Sequence, residues 1–252
     1  MSVSLLSTAG LSLGYRDTPI LKNVAFELVA GEVFAVVGHN GSGKSTLVKT
    51  LLGNLPPLGG KLRWPNGKPN SIACLGQRTE FDQHFPIRVR DLAAMGAWSG
   101  LRLTGKVDSA CQQRIESAMI RTGIDHIADM PLYQLSAGQL QRALFARTIV
   151  QDASLIFLDE PFTAVDQTTE AELLTLIEDW SDENRTVVLV LHDLSAVLQH
   201  CDSALLLGSG RSLFGSPEDI LTTSNLLNFG YLSESQASWF ESMYAQPETQ
   251  RV

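Results

Sequence analysis

Apolar and polar positions alternate along "LSLGY" and "VAFELV" near the start of the chain, with turn signals at "RDTP" and "AGE". That period predicts short strands with one buried face, forming an antiparallel patch. "VFAVVG" is apolar throughout and reads as a strand buried on both faces, followed by a helix from Lys44 to about Leu52. "GNLPPLGG" is a turn, and "KLRW" and "SIACLG" are two further strands. From Val89 to Ile127 the pattern turns helical, and "RIESAMIRTGI" sets Ile115, Ala118, Met119 and Thr122 on one stripe. A helical subdomain inserted into an α/β core is the expectation. A second helix over Ala137 to Val150, a buried strand "SLIFLD", a helix over Gln167 to Trp180 and a buried strand "TVVLVLH" follow. Because strand and helix alternate here, the sheet should be largely parallel. The tail after Asn225 carries Trp239, Phe240 and Tyr244, and its plain reading is a terminal helix packed on the domain.

With 252 residues, 44% of them hydrophobic, the chain can bury the core of one α/β domain. Nineteen basic against 27 acidic residues give a net charge of −8, which argues against nucleic-acid binding by phosphate neutralisation. Cys74, Cys111 and Cys201 form no C-x-x-C pair, so neither a disulfide framework nor a zinc ribbon is expected, and a reducing cytoplasm fits. The apolar runs fall far short of the roughly 20 residues that cross a bilayer, and "MSVSLLSTAG" lacks a basic leader region. Work at a membrane would need another chain to span it.

Chemistry concentrates in three places. "GHNGSGKST", residues 38–46, matches G-x-x-x-x-G-K-[ST] between a buried strand and a helix, the context that motif requires. Gly38, Gly41 and Gly43 allow successive amides to converge on phosphate oxygens, with His39, Asn40, Ser42 and Thr46 completing the loop. Lys44 would neutralise the β- and γ-phosphates of a nucleoside triphosphate and Ser45 would ligate Mg²⁺. "LIFLDE", residues 155–160, ends an apolar strand in two carboxylates, at the sheet edge where α/β folds bind ligands. Asp159 would hold the Mg²⁺ shell, while Glu160 would act as general base or polarise the attacking water. "LSAGQLQR", residues 135–142, leads into an amphipathic helix with Leu140, Ala143 and Leu144 on one stripe. Ser136, Ala137, Gly138 and Gln139 then lie at a helix N-terminus, a second phosphate-binding surface.

Two such surfaces in one chain serve one triphosphate only if two chains share it. In this the sequence resembles the ATP-binding subunits of ATP-binding cassette (ABC) transporters, whose signature is usually L-S-G-G-Q; Ala137 replaces a glycine. The resemblance runs from Tyr15 to about Pro217. It implies a P-loop NTPase cassette of α/β class: a RecA-like core, an N-terminal antiparallel β patch and an inserted helical signature subdomain. The ATPase domain would cover 1–225, with 89–150 as the helical insertion and 226–252 as a C-terminal tail. By resemblance Tyr15 stacks on adenine, although its position equally suits a strand core residue. Gln77 senses γ-phosphate and Mg²⁺, with Gly76 where the family often has proline. Asp166, in "TAVD", contacts the partner's P-loop, and His192 holds γ-phosphate and the catalytic carboxylate in register. The implied cofactors are ATP and Mg²⁺, and the implied cycle is dimer closure around two ATP molecules, hydrolysis and reopening.

The stretch "QRTEFDQHFPIRVRDLAAMG" resembles the corresponding segment of zinc and manganese importers through Phe85-Pro86, Val89, Asp91 and Met95-Gly96. It implies the ATPase of a metal importer, zinc ahead of manganese, working as a homodimer with an integral membrane permease and a periplasmic or extracellular metal-binding protein. No nucleic acid is expected as partner. Such a chain sits at the cytoplasmic face of the inner membrane. Glu80, Asp82 and His84 in that stretch match no standard metal motif, so a permease-docking surface is expected there rather than a metal site. The alternatives are an iron-siderophore or cobalamin importer ATPase, a soluble ABC ATPase acting on DNA or ribosomes, and a nucleotide-binding module without turnover.

Overall fold

The computed structural model describes residues 3–76, 86–99 and 108–237. In chain order the elements begin with β1 (Ser4–Tyr15), β2 (Thr18–Val29), β3 (Val33–Gly38), α1 (Lys44–Leu52), β4 (Gly59–Arg63) and β5 (Ile72–Leu75). There follow α2 (Val89–Ala94), α3 (Ser109–Arg121), α4 (Ala137–Val150), β6 (Leu155–Asp159), α5 (Gln167–Asp182) and β7 (Thr186–Leu191). The last are α6 (Leu194–His200), β8 (Ser203–Gly208), β9 (Arg211–Gly215), α7 (Pro217–Ile220) and α8 (Thr223–Asn228). The chain divides into two compact units, one of residues 1–29, 34–67 and 190–252, the other of 30–33 and 68–189.

In the first unit the N-terminal strands are longer than the short ones expected, twelve residues each. They pair as one antiparallel hairpin, and β4 adds to the far side of β1. Length is reached by absorbing register shifts, as between Thr8 and Leu11, so that Leu6, Leu11, Leu13, Leu21, Val24 and Leu28 all stay fully buried. The hairpin turns on Arg16 and Asp17, with φ of 46° and 66°, the left-handed pair that matches strand twist. At the centre Thr8 Oγ1 accepts from the Phe26 amide at 3.0 Å, satisfying a buried donor where the pairing shifts.

Two strands here are not among the elements the sequence pattern predicts. β8 pairs parallel with β3 in register Phe34↔Ser203 to Gly38↔Leu207, and β9 returns antiparallel on β8. Their turn is Ser209-Gly210, again with both residues at positive φ, 50° and 73°. "SALLLG" has the same all-apolar pattern as "VFAVVG", and all six residues of each strand are buried. The helix α1 keeps its expected bounds. It ends where Gly53, at φ 86°, turns left-handed and Asn54 N–H reaches back to the Lys49 carbonyl at 2.8 Å.

In the second unit the strand order is β5-β6-β7, and β5 and β6 run parallel from Ile72↔Leu155 to Leu75↔Leu158, as the alternation of strand and helix predicts. The stripe on α3 is buried as expected, with Cys111 joining Ile115, Ala118 and Met119, and Thr122 buried just past the helix end. Between α4 and α5 the rings of Phe145 and Trp180 stack at 5.7 Å, both almost wholly buried. Arg142 on α4 ion-pairs with Glu172 on α5. The ring stack joins the middle of α4 to the end of α5, and the ion pair joins the two helices nearer their starts.

Candidate nucleotide site

β3 delivers the chain into the glycine-rich loop at Gly38. A Cβ there would fall 2.4 Å from Ser42 Oγ and 2.5 Å from the Leu207 carbonyl oxygen, so only glycine allows the loop to close over the strand end. Gly43 has φ 103° and precedes the first turn of α1, where a Cβ would meet Leu21 Cδ1 at 2.7 Å. Gly43→Ala should therefore cost about 1–3 kcal/mol of stability through strain at a left-handed position. Urea denaturation would read that loss, and a nucleotide titration the accompanying drop in affinity.

The loop is built for an anion. Ser42 Oγ is buried and has no hydrogen-bond partner, an orphaned hydroxyl inside the cradle. No acidic residue occupies the first turn of α1, so that turn itself does not offset the positive end of the helix dipole. Lys44, only 6% exposed, donates from Nζ to the carbonyls of Gly38 at 2.7 Å and His39 at 3.2 Å, which holds its charge within the loop. Ser45 is exposed beside it and Thr46 is buried. Phosphate oxygens fit these donors, and the class of protein that strand, loop, lysine and helix define is a P-loop nucleotide-binding protein.

Tyr15 and His192 belong to the same unit. Tyr15 ends β1 and is 45% exposed, which removes the core alternative and leaves its ring open to stacking. His192 follows β7 directly and is exposed, and its carbonyl accepts a hydrogen bond from the Tyr231 hydroxyl. Asp193 then caps α6, its Oδ1 accepting from Ser195 N–H at 2.8 Å. Tyr231 was not singled out from the sequence.

The second unit holds the other groups. Asp159 closes β6, half-buried, with Oδ1 shielded from solvent. Glu160 sits at φ 52°, a conformation uncommon for a side-chain-bearing residue, and this breaks the strand alternation that would aim adjacent carboxylates to opposite faces. The turn is held by Thr163 N–H donating to the Glu160 carbonyl at 3.3 Å. Asp166 caps α5, its Oδ1 accepting from Thr169 N–H and its Oδ2 from Thr169 Oγ1, both at 2.9 Å. These bonds to the Thr169 backbone and hydroxyl hold the Asp166 carboxyl below the ordinary carboxylate range. Since the folded pKa is the lowered one, the cap's contribution is complete above the ordinary pKa and is lost only as pH falls through Asp166's own lower value. Carboxyl NMR titration should find Asp166 still ionised at a pH where exposed aspartates are half protonated.

Ser136 caps α4 in a reciprocal box: Gln139 N–H donates to Ser136 Oγ at 3.2 Å, and Ser136 N–H donates to Gln139 Oε1 at 2.9 Å. The Ser136 hydroxyl acts as acceptor toward the helix, which leaves its proton for an anion. Ala137 is exposed at ordinary helical φ, so the missing glycine costs no backbone freedom. Gly138 is different: a Cβ there would come within 3.2 Å of Thr169 Oγ1 and 3.5 Å of Asp166 Oδ2. The structure thus brings the signature and the Asp166 turn together within one unit, with Thr169 between them. The D-x-x-T spacing of Asp166 and Thr169 is the signal that would have found Thr169.

Gln77 and the stretch with Glu80, Asp82, His84 and Phe85 lie outside the described residues, as do Trp239, Phe240 and Tyr244. Among the described residues no group of three His, Cys, Asp or Glu side chains is placed to hold a metal ion. No described helix is long and apolar enough to cross a membrane.

The ABC transporter family model matches residues 21–163. The chain is 32% identical to the manganese transport system ATP-binding protein MntB of Bacillus subtilis (strain 168), over 86% of this chain and 88% of that protein. It is 37% identical to the zinc transport system ATP-binding protein TroB of Treponema pallidum (strain Nichols), over 78% and 76% respectively. A solved ABC transporter in an inward-facing conformation superposes with a TM-score of 0.82 at 32% identity, covering 91% of this chain and 90% of that one. The chain belongs to the ABC transporter family, as an ATP-binding and ATP-hydrolysing subunit.

Proposed function

We propose that this subunit energises import of a divalent transition metal, zinc or manganese, which crosses the membrane through a separate integral membrane permease. The observation that carries the reading is the likeness to subunits of manganese and zinc transport systems across most of the chain. Both metals occur among those relatives, so the proposal is made for the pair. The metal is cargo and is bound by the permease and by a periplasmic or extracellular capture protein. The subunit works at the cytoplasmic face of the membrane, held there by the permease.

In this reading two copies close face to face, and the Ser136–Gln139 surface of one copy completes the ATP site formed by residues 38–46 of the other. Lys44 and the loop amides bind the β- and γ-phosphates, and Tyr15 stacks on the base. Ser45 and Asp159 offer the hard oxygen ligands that suit Mg²⁺, with Gln77 beside them. Mg²⁺ supplies charge neutralisation on the phosphates when bound. Glu160 orients and deprotonates the attacking water, and His192 positions the γ-phosphate. Asp166 reaches the partner copy's P-loop.

The test is to delete the chain from its host and measure zinc, manganese and iron uptake separately in limiting medium. Loss of zinc or manganese accumulation with iron uptake retained is the expected result. Unchanged zinc and manganese accumulation would remove the metal reading, and a selective loss of iron would favour the chelate-importer alternative.

A further inference from the structure

The segment that follows α8 folds back onto the unit that carries the P-loop. Asn228 and Phe229 are held by Arg211, whose guanidinium donates to the Asn228 carbonyl at 3.1 Å and lies 5.3 Å from the Phe229 ring centroid. A Cβ on Gly208 would fall 1.9 Å from the Phe229 carbonyl oxygen, so the end of β8 and this segment meet backbone to backbone. Gly230, at φ 70°, turns the chain, and a Cβ there would sit 4.0 Å from the His39 imidazole of the P-loop. Tyr231 N–H then bonds to the Leu226 carbonyl at 2.8 Å, and its hydroxyl donates to the carbonyl of His192. Ala237 is buried further along, where Ala237 N–H closes a turn on Ser233 at 3.0 Å.

We propose that Tyr231 is a positioning residue for ATP hydrolysis: through its hydroxyl, the Phe229–Tyr231 strap fixes the backbone at His192 and thereby the direction of the His192 side chain. The physical reason lies in the peptide between His192 and Asp193. On one side its carbonyl is held by Tyr231. On the other, the Asp193 carboxylate is engaged with Ser195 N–H at the start of α6. With both neighbours pinned, the exposed imidazole is carried on a backbone that no longer drifts. Burial, and secondarily the Asp193 carboxylate, raises the Tyr231 pKa above its ordinary value, so the donor stays protonated at neutral pH. The same strap passes near His39, since a side chain added at Gly230 would reach ordinary contact distance of that imidazole.

This inference rests on the role proposed for His192. The experiment measures single-turnover ATP hydrolysis and ATP affinity for the full chain and for Tyr231→Phe, His192→Ala and the double variant. Tyr231→Phe keeps the ring and removes only the hydroxyl. It should lower the hydrolysis rate about tenfold with ATP affinity unchanged, the size expected for one hydrogen bond. In the His192→Ala background it should add nothing, because its effect passes through that side chain. A wild-type rate in Tyr231→Phe beside a defective His192→Ala overturns the inference and leaves the His192 reading standing. A wild-type rate in His192→Ala overturns both. Additive losses, or a loss of ATP affinity alone, overturn the positioning role in favour of a merely structural one. Hydrogen exchange of the amides from Leu191 to Leu194 gives a second measurement: it should quicken in Tyr231→Phe, and unchanged exchange there sinks the proposal.

Discussion

Glu160→Gln should bind ATP as the unaltered chain does and form the ATP-bound dimer, yet hydrolyse ATP at least about 10²-fold more slowly. The substitution is nearly isosteric, so the left-handed turn at φ 52° and the Thr163 bond to the Glu160 carbonyl, which use only backbone, are untouched. What disappears is the carboxylate's ability to take a proton from water. A neutral amide still orients water but accepts no proton at neutral pH. Radiolabelled ATP retained on the variant, with phosphate release measured beside it, separates binding from turnover. Full turnover in Glu160→Gln would remove this residue from the reaction.

The second large effect is expected at Lys44. Lys44→Ala removes a buried ammonium that donates to two carbonyls of its own loop and that would otherwise meet phosphate. Hydrogen bonds to charged groups are worth about 1.5–3 kcal/mol each, so ATP affinity should fall by one to two orders of magnitude or more. The same change takes the lysine donor from the carbonyls of Gly38 and His39, the latter still accepting from Ser42 N–H at 3.1 Å, so some stability should be lost as well. Measuring ATP affinity by equilibrium titration and folding by denaturation on one preparation distinguishes the two losses. Unaltered ATP affinity would contradict the placement of phosphate in this loop.

Much of this architecture was legible locally. The all-apolar runs of β3, β6 and β7 and the stripe of Ile115, Ala118 and Met119 are read from side-chain period, because a strand or helix face that packs on a core must repeat at that period. The bounds of α1 and α4 were readable for the same reason, helped by Gly53 at one end and Ser136 at the other. The strands β8 and β9 are less legible although their pattern is present, since an apolar run followed by Ser-Gly is equally a strand, a turn or part of a helix until a neighbour pairs with it. The N-terminal hairpin looks short in sequence for a related reason: its register shifts interrupt the alternation without ending the strands.

By itself the sequence determined the glycine-rich loop with its lysine, the paired carboxylates after an apolar strand and the Ser136 cap, because each is a local device whose residues are neighbours in the chain. Only the tertiary structure decided what lies beside those devices. It turned Tyr15 outward, set Gly138 against Thr169 and Asp166, and carried Tyr231 across thirty-nine residues to the carbonyl of His192. The last two are contacts between segments distant in sequence, and no period or spacing encodes them. They depend on which strand ends and helix starts the packed core happens to bring together, so they become visible only once the chain is folded.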